Sequence, residues 1–315
     1  MFPLKHTAVA SLFLLTAWGC SKNTATPGNP TPTVQNQNTT VYSSRAAALA
    51  DYQTSYLGSA LDSTGWNGNT ENCDPGTTSA ADQAMVLQRV NYFRRLVGLP
   101  DNVVFVDSLN EKAQQAALMM KANNQLNHYP DETWHCFTPA GQLAAANSDI
   151  ALGVSGPDAI TAYIQDAGVT DAGHRRWILF PALSKAGNGD TDFSNALWLV
   201  GGFGSRPSLP FVAYPGNGYI PAPLVFSYWS FSVETGDYSQ ASVSVTGPSG
   251  EARSLTLLTP LNGCGDNTLV WNMNDLNTDT LTADAAFQVT VSNVRVGGQI
   301  KDYQYTVQVM AIPGA

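Results

Sequence analysis

The sequence predicts an α+β protein in which a region of mixed helices and strands is followed by a region of strands alone. Helical spacing of apolar residues recurs between residues 80 and 180, whereas residues from 214 onward place apolar side chains at every second position. A chain of 315 residues is also longer than one average domain requires. We therefore expect two folded parts, at residues 76–212 and 213–315.

The first 19 residues are typical of a signal peptide. Lys5 precedes an apolar run over residues 8–18, which is too short to span a bilayer as a helix. The segment that ends at Cys20 resembles the lipid-attachment motif of bacterial lipoproteins, and the alternative is ordinary cleavage that releases a soluble product. The expected protein is exported, as an outer-membrane or cell-surface lipoprotein or as a secreted protein, and touches a membrane through the lipid anchor only.

Residues 20–75 are predicted to form a tether and an N-terminal extension. The stretch from Ser21 to about Ser44 consists mainly of Thr, Pro, Asn, Gln and Gly, so it has too little apolar surface to offset the entropy of ordering. The chain holds 15 Lys and Arg against 24 Asp and Glu, a net charge of −9, which argues against nucleic acid as a partner.

The cysteines predict one disulfide. Cys73 and Cys136 flank the same helical region, whereas Cys264 lies in the region of strands, so in an oxidising compartment we expect the first two to pair. No Cys-x-x-Cys motif occurs, and a structural zinc site is therefore not indicated.

Helices are predicted in the first part from apolar spacing and end signals. Residues 80–97 follow Ser79 as an N-cap and precede Gly98 and Pro100. A second helix is expected to start at Ser108, whose spacing to Glu111 resembles a capping box, and to end near residue 123. A third helix is expected to open at Ser155 with a proline in its first turn and to end before Gly168.

The remaining elements are shorter. A helical turn is expected over residues 173–179, residues 187–190 (Gly-Asn-Gly-Asp) indicate a turn, and residues 196–200 indicate a buried strand. Period-two strands near residues 229–233, 241–246, 287–292 and 303–309 predict an antiparallel sandwich, with Trp229 and Trp271 in its core.

Two histidines are the first candidates for a functional site. His128 follows the second helix, and His174 stands in the helical turn, so a backbone turn can direct each imidazole into one shared cleft. The other two histidines are His6, in the leader, and His135, in a loop.

The motifs around these histidines resemble those of the CAP superfamily (cysteine-rich secretory proteins, antigen 5, pathogenesis-related 1), whose domains are also called SCP domains. Their order and spacing also fit, over about residues 80–212; the segments are Asn91-Tyr92-Phe93-Arg94, Gly98-Leu99-Pro100, His128-Tyr129-Pro130 and Gly173-His174-Arg175. The resemblance implies an α-β-α sandwich with a cleft lined by two histidines and two acidic residues. The strands after residue 212 resemble the immunoglobulin-like tails of some bacterial members.

Carried over by position, His128 and His174 match the two cleft histidines of the family. The family's first glutamate falls on Ser148, with Asp149 as an offset substitute, and its second falls on Asp166. Metal and sterol or lipid binding occur in members of the family, and proteolysis has been claimed for some. The resemblance therefore implies that His128, His174 and Asp166 are the candidate ligands of zinc or another divalent metal.

The function that we expect is that of a cell-envelope binding or interaction module rather than an enzyme. Its ligand would be a divalent metal or a lipid or other small apolar molecule, and its partner an envelope or extracellular protein. Tyr92, Tyr129, Trp134 and Trp177 are candidates for lining an apolar groove, and Arg175 and Arg176 for ion pairs with Asp166 or Asp171. The alternative is a metal-dependent hydrolase, a peptidase or a cell-wall-directed enzyme, for which His128, His174, Asp166 and Ser148 are the catalytic candidates.

Overall fold

The structure, a computed structural model, describes residues 33–36, 41–259, 263–278 and 281–312, with the backbone alone for 33–36. These residues belong to one compact unit, Pro32–Ala315. The predicted signal peptide at 1–19 and the predicted lipidation site Cys20 lie outside the described residues. In the described part of the chain, no helix is both long enough and apolar enough to cross a bilayer.

Helices are concentrated in the first two thirds of the chain. The α-helices of the described residues are α1 (Arg45–Asp51), α2 (Ala80–Leu96), α3 (Asp107–Asn123), α4 (Pro139–Asn147), α5 (Gly156–Gln165) and α6 (Gly173–Ile178). A π-helical turn and a 3-10 turn extend α1 as far as Ser59.

The strands form three sheets. Their bounds are β1 (Thr33–Asn36), β2 (Val104–Phe105), β3 (Ser148–Leu152), β4 (Lys185–Asp190), β5 (Ser194–Trp198), β6 (Val212–Tyr214), β7 (Gly218–Pro221), β8 (Tyr228–Ser232), β9 (Ser242–Thr246), β10 (Leu255–Leu258), β11 (Thr268–Met273), β12 (Ala285–Val296) and β13 (Gln299–Met310). The mixture of helices and strands confirms the predicted α+β class.

Helix ends follow the sequence signals in two cases and depart from them in a third. The Ser79 hydroxyl caps α2 by accepting the Asp82 backbone N–H at 3.0 Å, and α5 carries Pro157 in its first turn. The predicted capping box at Ser108 is wrong. Helix α3 begins at Asp107 after Val106, which makes no side-chain cap, so Ser108 lies inside the first turn.

The first part of the chain has three layers around a sheet in the order β2-β4-β5-β3. Successive side chains of a strand point to opposite faces. Ala196 and Trp198 of β5 accordingly pack in a cluster with α3 and α4, whereas Leu197 packs in the larger cluster that contains the apolar faces of α2 and α5. Helices therefore cover both faces of this sheet.

The predicted turn at residues 187–190 is wrong, because these residues lie within β4. The glycines serve close packing instead. A Cβ atom at Gly189 would lie 2.1 Å from the Gln114 nitrogen of α3, and one at Gly187 would lie 2.5 Å from the Leu109 Cβ. Glycine at both positions lets helix α3 rest directly on the backbone of β4.

The C-terminal part contains two sheets, β10-β11-β8-β6 and β1-β13-β12-β9, and β7 also pairs with β13. Rings connect them: Trp229 of β8 lies 6.0 Å from Phe287 of β12, and Phe231 of β8 lies 5.0 Å from Tyr303 of β13. Trp229 and Trp271 are fully buried, as predicted. The strands predicted from period-two spacing make antiparallel pairs, whereas β1 and β7, which were not predicted, run parallel to β13.

The two parts of the chain share one hydrophobic cluster, in which the Phe93 ring of α2 lies 6.4 Å from the Tyr214 ring of β6. The domain boundary predicted between residues 212 and 213 falls inside β6 and stays a prediction. The predicted tether and N-terminal extension, residues 20–75, make contacts with the C-terminal part of the chain. The backbone of 33–36 pairs with β13, and the Arg45 guanidinium binds the Asp284 carboxylate at 2.6 Å.

Candidate functional site

The segment that carries His128 leaves the end of α3. Asn124 adopts a left-handed conformation with φ 47°, which ends the helix and turns the chain. The His128 ring lies with Nδ1 2.8 Å from the Ala145 carbonyl oxygen of α4. A carbonyl only accepts, so the His128 Nδ1–H is the donor of this hydrogen bond.

His174 lies in the first turn of α6 and is held by Asp166. The His174 Nδ1–H donates to the Asp166 Oδ1 at 2.6 Å, and the Arg175 backbone N–H donates to Oδ2 at 3.2 Å. Asp166 ends α5 in a left-handed conformation with φ 55°, and its carboxylate is fully buried. The Tyr163 ring stacks on the imidazole at 5.4 Å.

The charges around His174 favour its protonated form. Burial lowers the pKa of the imidazole, but the hydrogen bond to Asp166 and the negative charges of Asp149, Asp166 and Asp171 outweigh it and raise the pKa to about 9. His174 is therefore an imidazolium at neutral pH.

Ser148 and Asp149 stand at the start of β3, directly after α4. Asp149 is 3 % exposed, and neither the Ser148 Oγ nor the Asp149 Oδ2 has a hydrogen-bond partner. Burial raises the pKa of the Asp149 carboxyl well above its ordinary value, and the negative charge of Asp166 adds to the rise, while the charge of His174 opposes it. A carboxyl in this setting favours its neutral form.

One cavity of about 540 Å³ brings these groups together. Its polar lining includes His128, Ser148, Asp149 and His174, and its apolar lining includes Val169, Trp177, Leu199 and Val200. Gly263 and Cys264, between β10 and β11, supply a further wall. We call this cavity the histidine cleft.

The histidine cleft contains three of the four sequence candidates. His128, Ser148 and His174 line it, whereas Asp166 does not and acts through the imidazole of His174. Sequence reasoning named Asp149 as an offset substitute, and this acid is the one that lines the cavity. Cys264 was missed, because the family pattern ends before it and no local signal directs its loop to this place.

The aromatic and arginine candidates divide between cleft and core. Tyr129 and Trp177 line the cleft, while Tyr92 is fully buried in the core. Arg176 lies 4.0 Å from Asp171, an ion pair as expected. The Arg175 side chain is fully buried, and it donates to backbone carbonyls of α5 and of β8 instead of forming a side-chain ion pair.

A metal fits the cleft only in part. Asp166 occupies Nδ1 of His174, an arrangement typical of carboxylates that orient a metal-binding histidine from behind. The direct ligands would be Asp149, Nε2 of His128 and Nε2 of His174, and the His174 imidazolium would have to lose its Nε2 proton to bind a metal. In the described residues, the cluster whose candidate ligand atoms all lie within 4.8 Å of one another is a different one: Cys73, His135 and Cys136.

That second cluster is a covalent cross-link. Cys73 and Cys136 form the predicted disulfide, with their Cα atoms 5.0 Å apart, so neither sulfur is a free thiolate. His135 is held beside them because its Nε2–H donates to the Thr70 carbonyl at 2.8 Å. The disulfide therefore links segment 66–78 covalently to the loop after α3.

The hydrogen bond between Asp166 and His174 makes a measurable prediction. In the Asp166→Asn variant the uncharged amide cannot stabilise the imidazolium as a carboxylate does, so we expect the pKa of His174 to fall. An NMR titration of the imidazole resonances measures it. Asp158→Asn, at a side chain that is 75 % exposed, is the matched control. A His174 titration midpoint that is the same in both variants would contradict the role given to Asp166.

Comparison with known proteins agrees with the geometry. Residues 87–199 match the family model described as CAP, cysteine-rich secretory protein family. No curated protein matches the chain. The match covers α3 to α6, β2 to β5 and most of α2, and therefore both cleft histidines. The family is named for secreted proteins, and the disulfide fits an exported protein. Residues 87–199 of the chain therefore form a domain of the CAP family.

Proposed function

We propose that this protein is an exported binding module of the cell envelope whose histidine cleft takes a small amphiphilic molecule, with an apolar body and a polar head. The main support for this proposal is that one cavity of about 540 Å³ is lined both by the apolar residues Trp177, Leu199 and Val200 and by the polar residues Ser148, Asp149 and His174. Pockets of about 300–1,000 Å³ that combine apolar walls with a few fixed polar groups are typical of small-molecule sites.

The polar end of the cleft has hydrogen-bonding capacity that the protein does not use. The Ser148 Oγ and the Asp149 Oδ2 lack partners, and such a buried polar atom costs about 1–3 kcal/mol when it is left unsatisfied. A ligand head that both donates and accepts, such as a hydroxyl, would satisfy them. The apolar body would then lie along Trp177 and Val200, at the walls of the cavity.

Binding has better support than hydrolysis by the same residues. In the described part of the chain the Ser148 Oγ has no hydrogen bond to an imidazole, as an activated serine requires. The His128 Nδ1–H donates to the Ala145 carbonyl, and the His174 Nδ1–H donates to Asp166. A metal-dependent hydrolase remains the alternative, with Asp149 as the observation in its favour, because this residue lines the cavity and its buried Oδ2 has no hydrogen-bond partner.

The remaining parts of the proposal concern presentation at the envelope. Cys20 would carry the lipid, residues 21–32 would tether the folded unit, and the β8-to-β13 part would act as an immunoglobulin-like module that docks on an envelope or extracellular protein. The Trp229–Trp271 core and the two facing sheets support such a module. The mass of the N-terminal peptide tests the anchor: a diacylglyceryl adduct on Cys20 supports it.

The cleft can be tested with three six-carbon probes that share one apolar body and differ in head group: hexan-1-ol, hexanoate and hexylamine. We expect at least one, at up to about 10 mM, to shift the NMR resonances of His174 and Trp177. Val200→Asp should weaken that binding at least about tenfold, because a charge in the apolar wall opposes burial of the chain. Val104→Asp, on an exposed valine outside the cleft, is the matched control.

Zinc binding distinguishes the metal-dependent alternative from the proposed binding of an amphiphile. It is added to the oxidised protein, since reduction would free Cys73 and Cys136 beside His135. Two results together would contradict binding of an amphiphile and favour a metal site. Zinc would bind the wild type but not the His128→Ala/His174→Ala variant, and the amphiphile probes would leave the cleft resonances unchanged.

A further inference from the structure

A second cavity, of about 460 Å³, lies on a different surface of the CAP domain, and none of its lining residues lines the histidine cleft. Segment 75–78, the first half of α2, the first half of α3 and β4 enclose it. Five of its ten lining residues carry side-chain amides, and these are Gln83, Asn110, Gln114, Gln115 and Asn188. We call it the amide groove.

The wall made by segment 75–78 is fixed in place. The Pro75 carbonyl accepts the Trp66 indole N–H at 2.8 Å and the Gln114 amide N–H at 3.1 Å. The Thr77 backbone N–H donates to the Asn67 side chain at 2.8 Å, and the disulfide at Cys73 anchors the segment from the other side. The groove is therefore already formed without a ligand, which lowers the entropic cost of binding.

The orientation of two amides is set by the backbone of β4. The Asn110 Oδ1 accepts the Asn188 backbone N–H at 2.8 Å, so the Asn110 Nδ2 points elsewhere and makes no hydrogen bond with the described residues. The Gln83 Nε2 donates to the Thr78 hydroxyl at 3.0 Å and to the Asn188 carbonyl at 3.3 Å, which leaves the Gln83 Oε1 without a partner. The groove thus offers the Asn110 Nδ2 as an unused donor, whereas the unused Gln83 Oε1 is a buried atom.

The chemistry of the lining restricts the ligand. Glu111 is the one charged residue of the groove, so a strongly charged ligand has no matching partner. No Val, Leu, Ile, Met or aromatic residue lines it, so the side chains of a bound peptide would find no apolar pocket. Hydroxyl and acetamido groups both donate and accept, and they match the amides, while the C–H face of a sugar ring can lie on Pro75 and Gly76.

We propose that the amide groove binds an uncharged saccharide through the Asn110 amide. A saccharide site beside a ligand cleft would give an envelope protein two independent contacts with its surroundings. This second site does not depend on the occupant of the histidine cleft.

The test titrates the full-length protein with three neutral trisaccharides: tri-N-acetylchitotriose, cellotriose and maltotriose. At least one should bind with a Kd of about 10 mM or below by calorimetry or saturation-transfer NMR. Asn110→Asp should weaken that binding at least about tenfold, because the carboxylate keeps the acceptor for the Asn188 N–H and replaces the unused Nδ2 donor by an oxygen that only accepts. Gln240→Glu, an exposed amide outside the groove, should bind within about twofold of the wild type.

Each other outcome overturns the proposal. Binding of none of the three sugars, or equal binding by Asn110→Asp and the wild type, would show that the groove is not a saccharide site. Trialanine amide that binds instead, with the same sensitivity to Asn110→Asp, would assign the groove to a peptide backbone. Saccharide binding lost in His174→Gln and kept in Asn110→Asp would place the sugar in the histidine cleft.

Discussion

Replacement of Asp82 by asparagine is expected to stabilise the protein above neutral pH and to flatten the pH dependence of its unfolding free energy. Asp82 and Asp190 are both fully buried, and neither oxygen of Asp82 has a hydrogen-bond partner. Burial, followed by the negative charge of Asp190, raises the pKa of the Asp82 carboxyl. Asp82 therefore holds a proton in the folded state at neutral pH.

Asp190 is the partner that holds the charge. Its Oδ1 accepts the Gly156 backbone N–H at 2.7 Å and the Asn195 amide at 2.9 Å, and its Oδ2 accepts the Asn188 amide at 2.8 Å. Burial raises the pKa of Asp190, and these three donors oppose that rise. The pair is thus one carboxylic acid beside one carboxylate.

The pH dependence follows from the proton on Asp82. The unfolded chain releases it above the ordinary aspartate pKa of about 4, whereas the folded protein keeps it to higher pH. Stability from this group is complete below the ordinary pKa and is lost as pH rises through the raised folded value, by at most about 1.4 kcal/mol per pH unit. The amide introduced by Asp82→Asn cannot ionise, so the variant lacks this loss.

Urea unfolding followed by circular dichroism at pH 5, 7 and 9 measures the difference between variant and wild type. The difference should grow with pH for Asp82→Asn and stay constant for the exposed control Asp158→Asn. Parallel curves for wild type and Asp82→Asn would contradict the raised pKa of Asp82.

Loss of the Cys73–Cys136 disulfide is expected to lower the unfolding free energy by about 4 kcal/mol, because the bridge closes a 63-residue loop. Reduction or the Cys73→Ser/Cys136→Ser variant produces the loss, and denaturant midpoints measure it. Cys264→Ser is the control, since Cys264 is a free cysteine. An unchanged midpoint after complete reduction would mean that the bridge does not restrain the unfolded chain.

Local signals predicted α2, α5 and the turn that carries His174, because capping residues and apolar spacing act within a few residues. They failed where a contact between residues distant in the sequence determines the local structure. Gly187 and Gly189 resemble turn residues until α3 is packed against them, and Ser108 resembles a cap although α3 begins one residue earlier. The pairing of Cys73 with Cys136 was predicted because both cysteines flank the same helices.

In the candidate site, too, local motifs were predictive and long-range contacts were not. The positions of His128, His174 and Ser148 were predicted from motifs, and all three line one cavity. The indirect role of Asp166 could not be predicted, since it depends on the left-handed turn that carries its carboxylate beneath the imidazole. The buried polar network behind Tyr163, whose hydroxyl donates to Asn195 at 2.9 Å, joins residues from distant segments.

The most direct test of the proposed binding cleft is a structure of the protein with the tightest of the three six-carbon probes bound. We expect the six-carbon chain to lie against Trp177 and Val200, with the head group within hydrogen-bond distance of Ser148, Asp149 or His174. A probe bound elsewhere on the protein, or an ion held by His128 and His174 in its place, would contradict the proposed binding cleft.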